Sequence, residues 1–249
     1  MKALEVQEIT SGYGEVQILW GASLCLEKGK LTTLVGANGA GKTTLLRTIM
    51  GVLKPWQGTI RFEGREVTGL AAHARANLGI VLVPEGRQLF TDMSVLENLE
   101  LGAFSPRARA GSRRNLEKVI AMFPRLKNRL SQKAGTMSGG EQQMLAVARG
   151  LMAEPDILIL DELSLGLSPA LTVALFESLI QLKNEGLTML LAEQNASMAL
   201  AVSDHACVLA QGKVILEGPA RALLNNEEVR RGYLGMSPQT DSPDVFNCR

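Results

Sequence analysis

The sequence predicts an α/β fold built on a mainly parallel sheet covered on both faces, and three observations carry that reading. Short apolar runs of strand length alternate with helix-length periodic segments through the second half of the chain. A Gly-rich turn at residues 36–43 joins a compact β run to a helical pattern. The 249 residues are 46% hydrophobic and 20% charged, an ordinary globular composition that suits one large domain or one with a subdomain.

The elements follow in order. Leu4, Val6 and Ile9 begin a first strand, residues 18–26 form a second, and the β run 31–35 ends at Gly36. After Gly41 the apolar residues Leu45, Leu46, Ile49 and Met50 recur at three- and four-residue steps until Gly51 stops the helix. Residues 59–62 and 80–83 read as short strands, the latter halted by Pro84. Residues 93–133 are mainly helical in pattern, broken at Pro106, Gly111 and Pro124. Helix 141–152, strand 156–160, helix 170–183, strand 188–191 and helix 197–202 then alternate, and a hairpin at 206–216 turns at Gln211-Gly212. Residues 237–249 are polar, with two prolines, and are expected to be a mobile tail.

Charge and composition exclude several classes. Lys and Arg number 26 against 25 Asp and Glu, a net charge of +1, so nothing global favours nucleic acid or an anionic membrane. No apolar run approaches the roughly 18–20 residues that cross a bilayer, and the N-terminus lacks a secretory core, so a soluble intracellular chain is expected. Cys25, Cys207 and Cys248 are too widely spaced for a disulfide framework or a zinc site; they read as reduced core residues plus one tail thiol. Residues 107–133 carry nine basic side chains against Glu117 alone; a solvated helical surface and a dedicated anion or partner site both fit.

The turn Gly36-Ala37-Asn38-Gly39-Ala40-Gly41-Lys42-Thr43 matches G-x-x-x-x-G-K-[ST], and Thr44 follows it into the helix. Its glycines let backbone N–H groups wrap a phosphate chain, and the new helix adds its positive end. Lys42 is placed to neutralise phosphate charge and Thr43 to offer its hydroxyl to Mg²⁺. The apolar run 157–160 delivers Asp161 and Glu162 at its carboxyl end, where open α/β sheets bind ligands. Asp161 suits the metal side and Glu162 the polarisation of a water, although a strand-end cap explains the pair equally well in isolation. Ser138, Gly139 and Gly140 open another helix and make a second anion-reading end, or an ordinary Ser cap. One chain thus has two such ends and one Lys-bearing loop, a surplus explained if the second serves a nucleotide held by another chain.

These motifs, in this order, resemble the ATP-binding-cassette ATPases over about residues 4–234. Residues 137–141, Met-Ser-Gly-Gly-Glu, are similar to the family's Leu-Ser-Gly-Gly-Gln signature, with Glu141 where Gln is usual. The resemblance implies an antiparallel N-terminal β-subdomain, a mainly parallel core and a helical subdomain at about residues 86–152, within a single ATPase domain spanning 1–236. It implies ATP and Mg²⁺ as cofactors, Tyr13 stacked on adenine, and Thr43, Asp161 and Glu85 around the metal. Ser164-Leu165-Gly166-Leu167-Ser168 match the loop that crosses a dimer interface, and Leu163 replaces a frequent Pro. Gln194 stands where most members have a switch histidine; His73 and His205 sit at neither expected place. A glutamine donates a hydrogen bond but carries no proton or charge at neutral pH.

One branch combines Val-Pro-Glu-Gly-Arg, Ser-Gly-Gly-Glu-Gln-Gln, Ser-Leu-Gly-Leu and Glu-Gln-Asn, seen here at 83–87, 138–143, 164–167 and 193–195. That branch is the ATPase subunits of high-affinity branched-chain amino acid importers, which the chain is similar to. The implied partners are a second cassette, identical or not, two transmembrane permeases and, indirectly, an extracytoplasmic binding protein, with no nucleic acid. The implied place is the cytoplasmic face of the inner membrane. A permease helix is expected in a groove beside residues 85–99, where Leu89, Phe90, Met93, Val95 and Leu96 line it or form subdomain core. Cassettes for urea, short amides or lipid export are the alternatives, and a soluble non-transport cassette ATPase is the alternative of another class; the latter usually has two cassettes or a long coiled coil, and this chain has one P-loop and no heptad run.

Overall fold

A computed structural model describes residues 1–226; the expected tail and Cys248 lie outside the described residues. Two sheets share the structure. In the first, β1 (Lys2–Tyr13) pairs antiparallel with β2 (Val16–Glu27) on one side and β4 (Gln57–Phe62) on the other, and β5 (Arg65–Glu66) extends the edge. In the second, β3 (Leu31–Val35), β6 (Ile80–Val83), β7 (Ile157–Asp161), β8 (Thr188–Glu193) and β9 (His205–Ala210) run parallel, and β10 (Lys213–Pro219) closes one edge antiparallel; the order is β10-β9-β3-β8-β7-β6. The expected mainly parallel core beside an antiparallel N-terminal sheet is what the chain forms.

The central strands are apolar without alternation because both faces are covered. Ile157 and Ile159 of β7, with Leu190 and Ala192 of β8, face the antiparallel sheet and α1 (Lys42–Met50). Leu158 and Leu160, with Met189 and Leu191, face the opposite layer. That layer holds α3 (Val95–Gly102), α5 (Ser112–Met122), α7 (Gly139–Met152), α8 (Pro169–Asn184) and α9 (Ala196–Val202). Each strand thus divides its side chains between two cores at a two-residue period.

The breaks expected inside 93–133 are helix starts rather than interruptions. Pro106 opens α4 (Pro106–Arg109), Gly111 caps α5, and Pro124 opens α6 (Pro124–Lys127). Proline suits a first turn because its missing N–H has no partner there anyway. A 3₁₀ turn, Ala134–Thr136, then leads into α7. The basic surface of this segment is partly neutralised from elsewhere: Arg107 pairs with Asp156 at 2.7 Å, Arg114 with Glu154 at 2.8 Å and Arg129 with Glu141 at 3.0 Å.

Two short helices carry no apolar period that a sequence reading detects: α2 (Ala72–Asn77) and α10 (Ala220–Asn225). In α2 the inward residue is charged. Arg75 is 1% exposed and donates to four carbonyl oxygens, of Thr48, Ile49, Thr68 and Leu70, at 2.6–3.0 Å. Thr48 and Ile49 belong to the last turn of α1, where carbonyls run out of partners one turn ahead, so the guanidinium caps that helix end together with the Gly51 N–H, which donates to Thr48 O. Of the two cysteines among the described residues, both free, Cys207 is core, and burial pushes its thiol up to about 12. Cys25, on β2, is half-buried.

Candidate active site

Four loops leave the carboxyl ends of adjacent parallel strands and converge. The turn after β3 carries Lys42 and Thr43, the one after β6 carries Glu85, β7 delivers Asp161 and Glu162, and β8 delivers Gln194. They enclose a cleft of about 370 Å³ whose walls include Asn38, Lys42, Thr43, Glu85, Glu162 and Gln194. A different recess of about 340 Å³ lies at the other ends of the strands, between α5 and the 185–188 turn, and contains none of these groups.

Lys42 is 5% exposed; its ammonium donates to the Gly36 carbonyl at 2.7 Å and lies 3.1 Å from Glu162 Oε1. The Thr43 hydroxyl donates to Asp161 Oδ1 at 3.3 Å. Burial pushes the Asp161 carboxyl up to about 6; the Thr43 hydrogen bond opposes the rise, and the charges of Glu162 and Glu85 add to it. An acid made so costly to ionise, beside a hydroxyl and a further carboxylate, is an all-oxygen donor set that fits a hard divalent cation. The phosphate side fits as well. Gly39 has φ +80° and open space where a Cβ would sit, whereas a Cβ on Gly36 would run into the Leu209 carbonyl of β9.

The other expected site residues occupy defined places. Ala37, Gly41 and Thr44 line the cleft, and Ala40 is buried beneath the turn. Tyr13 ends β1 outside the cleft lining, the residue 41% exposed and its hydroxyl accepting from Arg47 at 3.2 Å. Ser138, Gly139 and Gly140 open α7 and do not line the cleft. The Ser138 hydroxyl and Glu141 carboxylate form a reciprocal capping box, so Glu141 works as a cap. A Cβ on Gly140 would meet the end of the Leu171 side chain of α8, which would have to turn aside. Of the groove residues, Val95 is wholly buried core, whereas Phe90 is 53% exposed with the Arg149 guanidinium 5.8 Å from its ring centre.

Sequence reasoning missed two connections. Arg87, at φ +66°, donates to Gln142 at 2.9 Å and so ties the Glu85 loop to the first turn of α7. Its Gly86-Arg87 step was the only available signal. Glu193 is 0% exposed and holds Ser164 through both carboxylate oxygens; an acid ending an apolar strand was visible, but its partner 29 residues away was not.

Residues 19–164 match the ABC transporter family. The chain is 46% identical over 232 residues (93% of this chain, 99% of the relative) to the high-affinity branched-chain amino acid transport ATP-binding protein BraG of Pseudomonas aeruginosa. It is 36% identical over 234 residues (94% and 99%) to the probable branched-chain amino acid transport ATP-binding protein LivF of Archaeoglobus fulgidus. Among solved structures, a nucleotide-free ATP-binding cassette from an ABC transporter superposes with TM-score 0.82 at 29% identity, covering 92% of this chain and 97% of that one. A strand–turn–helix phosphate cradle faced by a buried acid pair is what an ATP-hydrolysing cassette requires, and the chain belongs to the ABC transporter family.

Proposed function

We propose that the chain energises a branched-chain amino acid importer as one of its ATP-hydrolysing subunits, working at the cytoplasmic face of the membrane. No helix among the described residues is long and apolar enough to cross a bilayer, so attachment falls to partner permeases. The relatives' printed names support the substrate class. The observation that supports the chemistry is the meeting of Lys42, Thr43, Asp161 and Glu162 at adjacent strand ends.

In this reading backbone N–H groups of residues 37–41 and the Lys42 ammonium hold the β- and γ-phosphates of ATP, and Tyr13 stands against adenine. Thr43, Asp161 and Glu85 hold Mg²⁺, which supplies charge neutralisation on the phosphates. Glu162 accepts a proton from the attacking water, and Gln194 donates a hydrogen bond toward the γ-phosphate. Ser138, Gly139 and Gly140, turned away from their own chain's cleft, cap the nucleotide of a second cassette. Nucleotide binding then favours the closed pair, and hydrolysis releases it.

The test is reconstitution in proteoliposomes with two permeases, a second cassette and the external binding protein. ATP-dependent leucine uptake that disappears with Lys42→Ala supports the reading. ATP hydrolysis stimulated by urea or a short amide, with no leucine uptake, overturns the substrate assignment. A Glu162→Gln chain that stays monomeric with ATP beside every candidate cassette overturns the shared pocket.

A further inference from the structure

Glu193 is the last residue of β8 and is wholly buried. Ser164 engages both of its carboxylate oxygens: Ser164 N–H donates to Oε1 at 2.9 Å and Ser164 Oγ donates to Oε2 at 2.7 Å, and the Gln194 backbone N–H also donates to the carboxylate. None of the ion pairs among the described residues includes it. Burying a carboxylate without a cation is costly, and a neutral side chain holds a serine as well. The expense points to a task beyond stability.

The surroundings say which task. The segment 162–164 links the end of β7 to the loop that also lines the recess beside Gln194. Its first residue donates its N–H to the Ala192 carbonyl at 2.9 Å, and its third is gripped by Glu193. Leu163, between them, is 0% exposed. The segment is therefore pinned to two successive residues of β8, and Glu162 sits within it at φ +50°, a backbone conformation disfavoured for any side chain but glycine. Such a conformation persists where the surroundings over-determine it.

We propose that Glu193 is a positioning residue: by clamping Ser164 it holds Glu162 in its left-handed conformation, with the carboxylate aimed into the cleft, and keeps the 164–167 loop in register with Gln194. The proposal rests on the reading of Glu162 as the group that takes the water's proton. A clamp of this kind acts on the geometry of the chemical step rather than on nucleotide affinity, because neither Ser164 nor Glu193 lines the phosphate cradle.

The experiment compares Glu193→Ala, Glu193→Gln, Ser164→Ala, the double variant Ser164→Ala/Glu193→Ala and Glu162→Gln. All are made in the full-length chain, under conditions where the unmodified protein turns over ATP. Glu193→Ala is expected to lower kcat by about 10–100-fold, since a misplacement of about 1 Å costs up to that much, with the KM for ATP changed less than about threefold. Glu193→Gln should recover most of the loss, because an amide oxygen still accepts the Ser164 N–H and its NH₂ donates to the hydroxyl. The double variant should be no worse than the poorer single one, as for two halves of one contact. Undiminished kcat in Glu193→Ala, or in Ser164→Ala should the first variant not fold, overturns the clamp. So does a loss of kcat matched by an equal rise in KM, or a Glu193→Gln as impaired as Glu193→Ala. If Glu162→Gln itself turns over normally, the reading of Glu162 has failed instead; a dead Glu162→Gln beside a fully active Glu193→Ala rejects the clamp alone.

Discussion

Lys42 Nζ lies 3.1 Å from Glu162 Oε1, and both side chains are almost fully enclosed, so one ammonium neutralises the carboxylate and faces the phosphate cradle at once. The two groups therefore have separable effects. Replacing the lysine removes the charge that phosphates need, whereas replacing the glutamate leaves that charge in place. Glu162→Gln should bind ATP as tightly as the parent or more tightly, and hydrolyse it about 10²–10⁴-fold more slowly. A nucleotide-binding titration beside a steady-state hydrolysis assay checks this, and unimpaired turnover would reject Glu162 as the base.

Asp161 makes stability depend on pH in an unusual direction. Its carboxyl is pushed up from 3.8 to about 6 in the folded chain, so the folded state holds that proton more firmly than the unfolded one. Stability from this group is greatest below the unfolded value and is lost as pH rises through about 6. The difference amounts to about 3 kcal/mol between the two limits. Without nucleotide or metal, Asp161→Asn should melt higher than the parent at pH 7.5, and the gap should narrow as pH falls through about 6 and close only below 3.8. Thermal melts across that range measure it; equal melting temperatures at pH 7.5 would contradict the burial argument.

Arg75 tests a stabilising contact that touches no ligand. Its removal takes a donor from four carbonyl oxygens at and beside the end of α1, the helix that begins at Lys42, and only that of Thr48 keeps another, the Gly51 N–H. Arg75→Met keeps much of the volume yet supplies no donor, and should cost about 3 kcal/mol, nearly as much as Arg75→Ala. For a chain of this size that is about 6–12 °C in Tm. A neutral Arg75→Met would show that packing, not capping, is what matters there.

Two glycines separate steric need from backbone need. A Cβ on Gly36 would collide with the Leu209 carbonyl, so Gly36→Ala must push β9 away from the phosphate turn and should cost about 3 kcal/mol. Gly64, at φ +80°, has no heavy atom within 4 Å of such a Cβ, and Gly64→Ala should cost only about 1 kcal/mol of backbone strain. Chemical denaturation of the two variants distinguishes the cases, and ATP affinity should fall in the first alone.

Much of this architecture is legible in the amino-acid sequence. Apolar runs covered on both faces and helices with one apolar stripe announce themselves by period, and β3 and β6 begin and end where that period does. The hairpin turn at Gln211-Gly212 was legible because two consecutive left-handed residues demand that chemistry; they have φ +48° and +74°. Helix α2 was not, since an Ala-His-Ala-Arg-Ala-Asn run has no stripe, and what holds it is one buried arginine bonded to carbonyls up to 27 residues away.

The linear order of residues by itself determined the phosphate turn, the acid pair and the glutamine that follows β8, because each depends on neighbours within a few positions of one strand end. Only the tertiary structure decided that Glu162 answers to Lys42, that Ser164 is gripped by Glu193 and that Arg87 reaches Gln142. Those pairings join loops that the parallel sheet sets side by side. A side chain's partner across such a sheet is chosen by strand order and register, which are properties of the whole packed chain rather than of any short stretch of it.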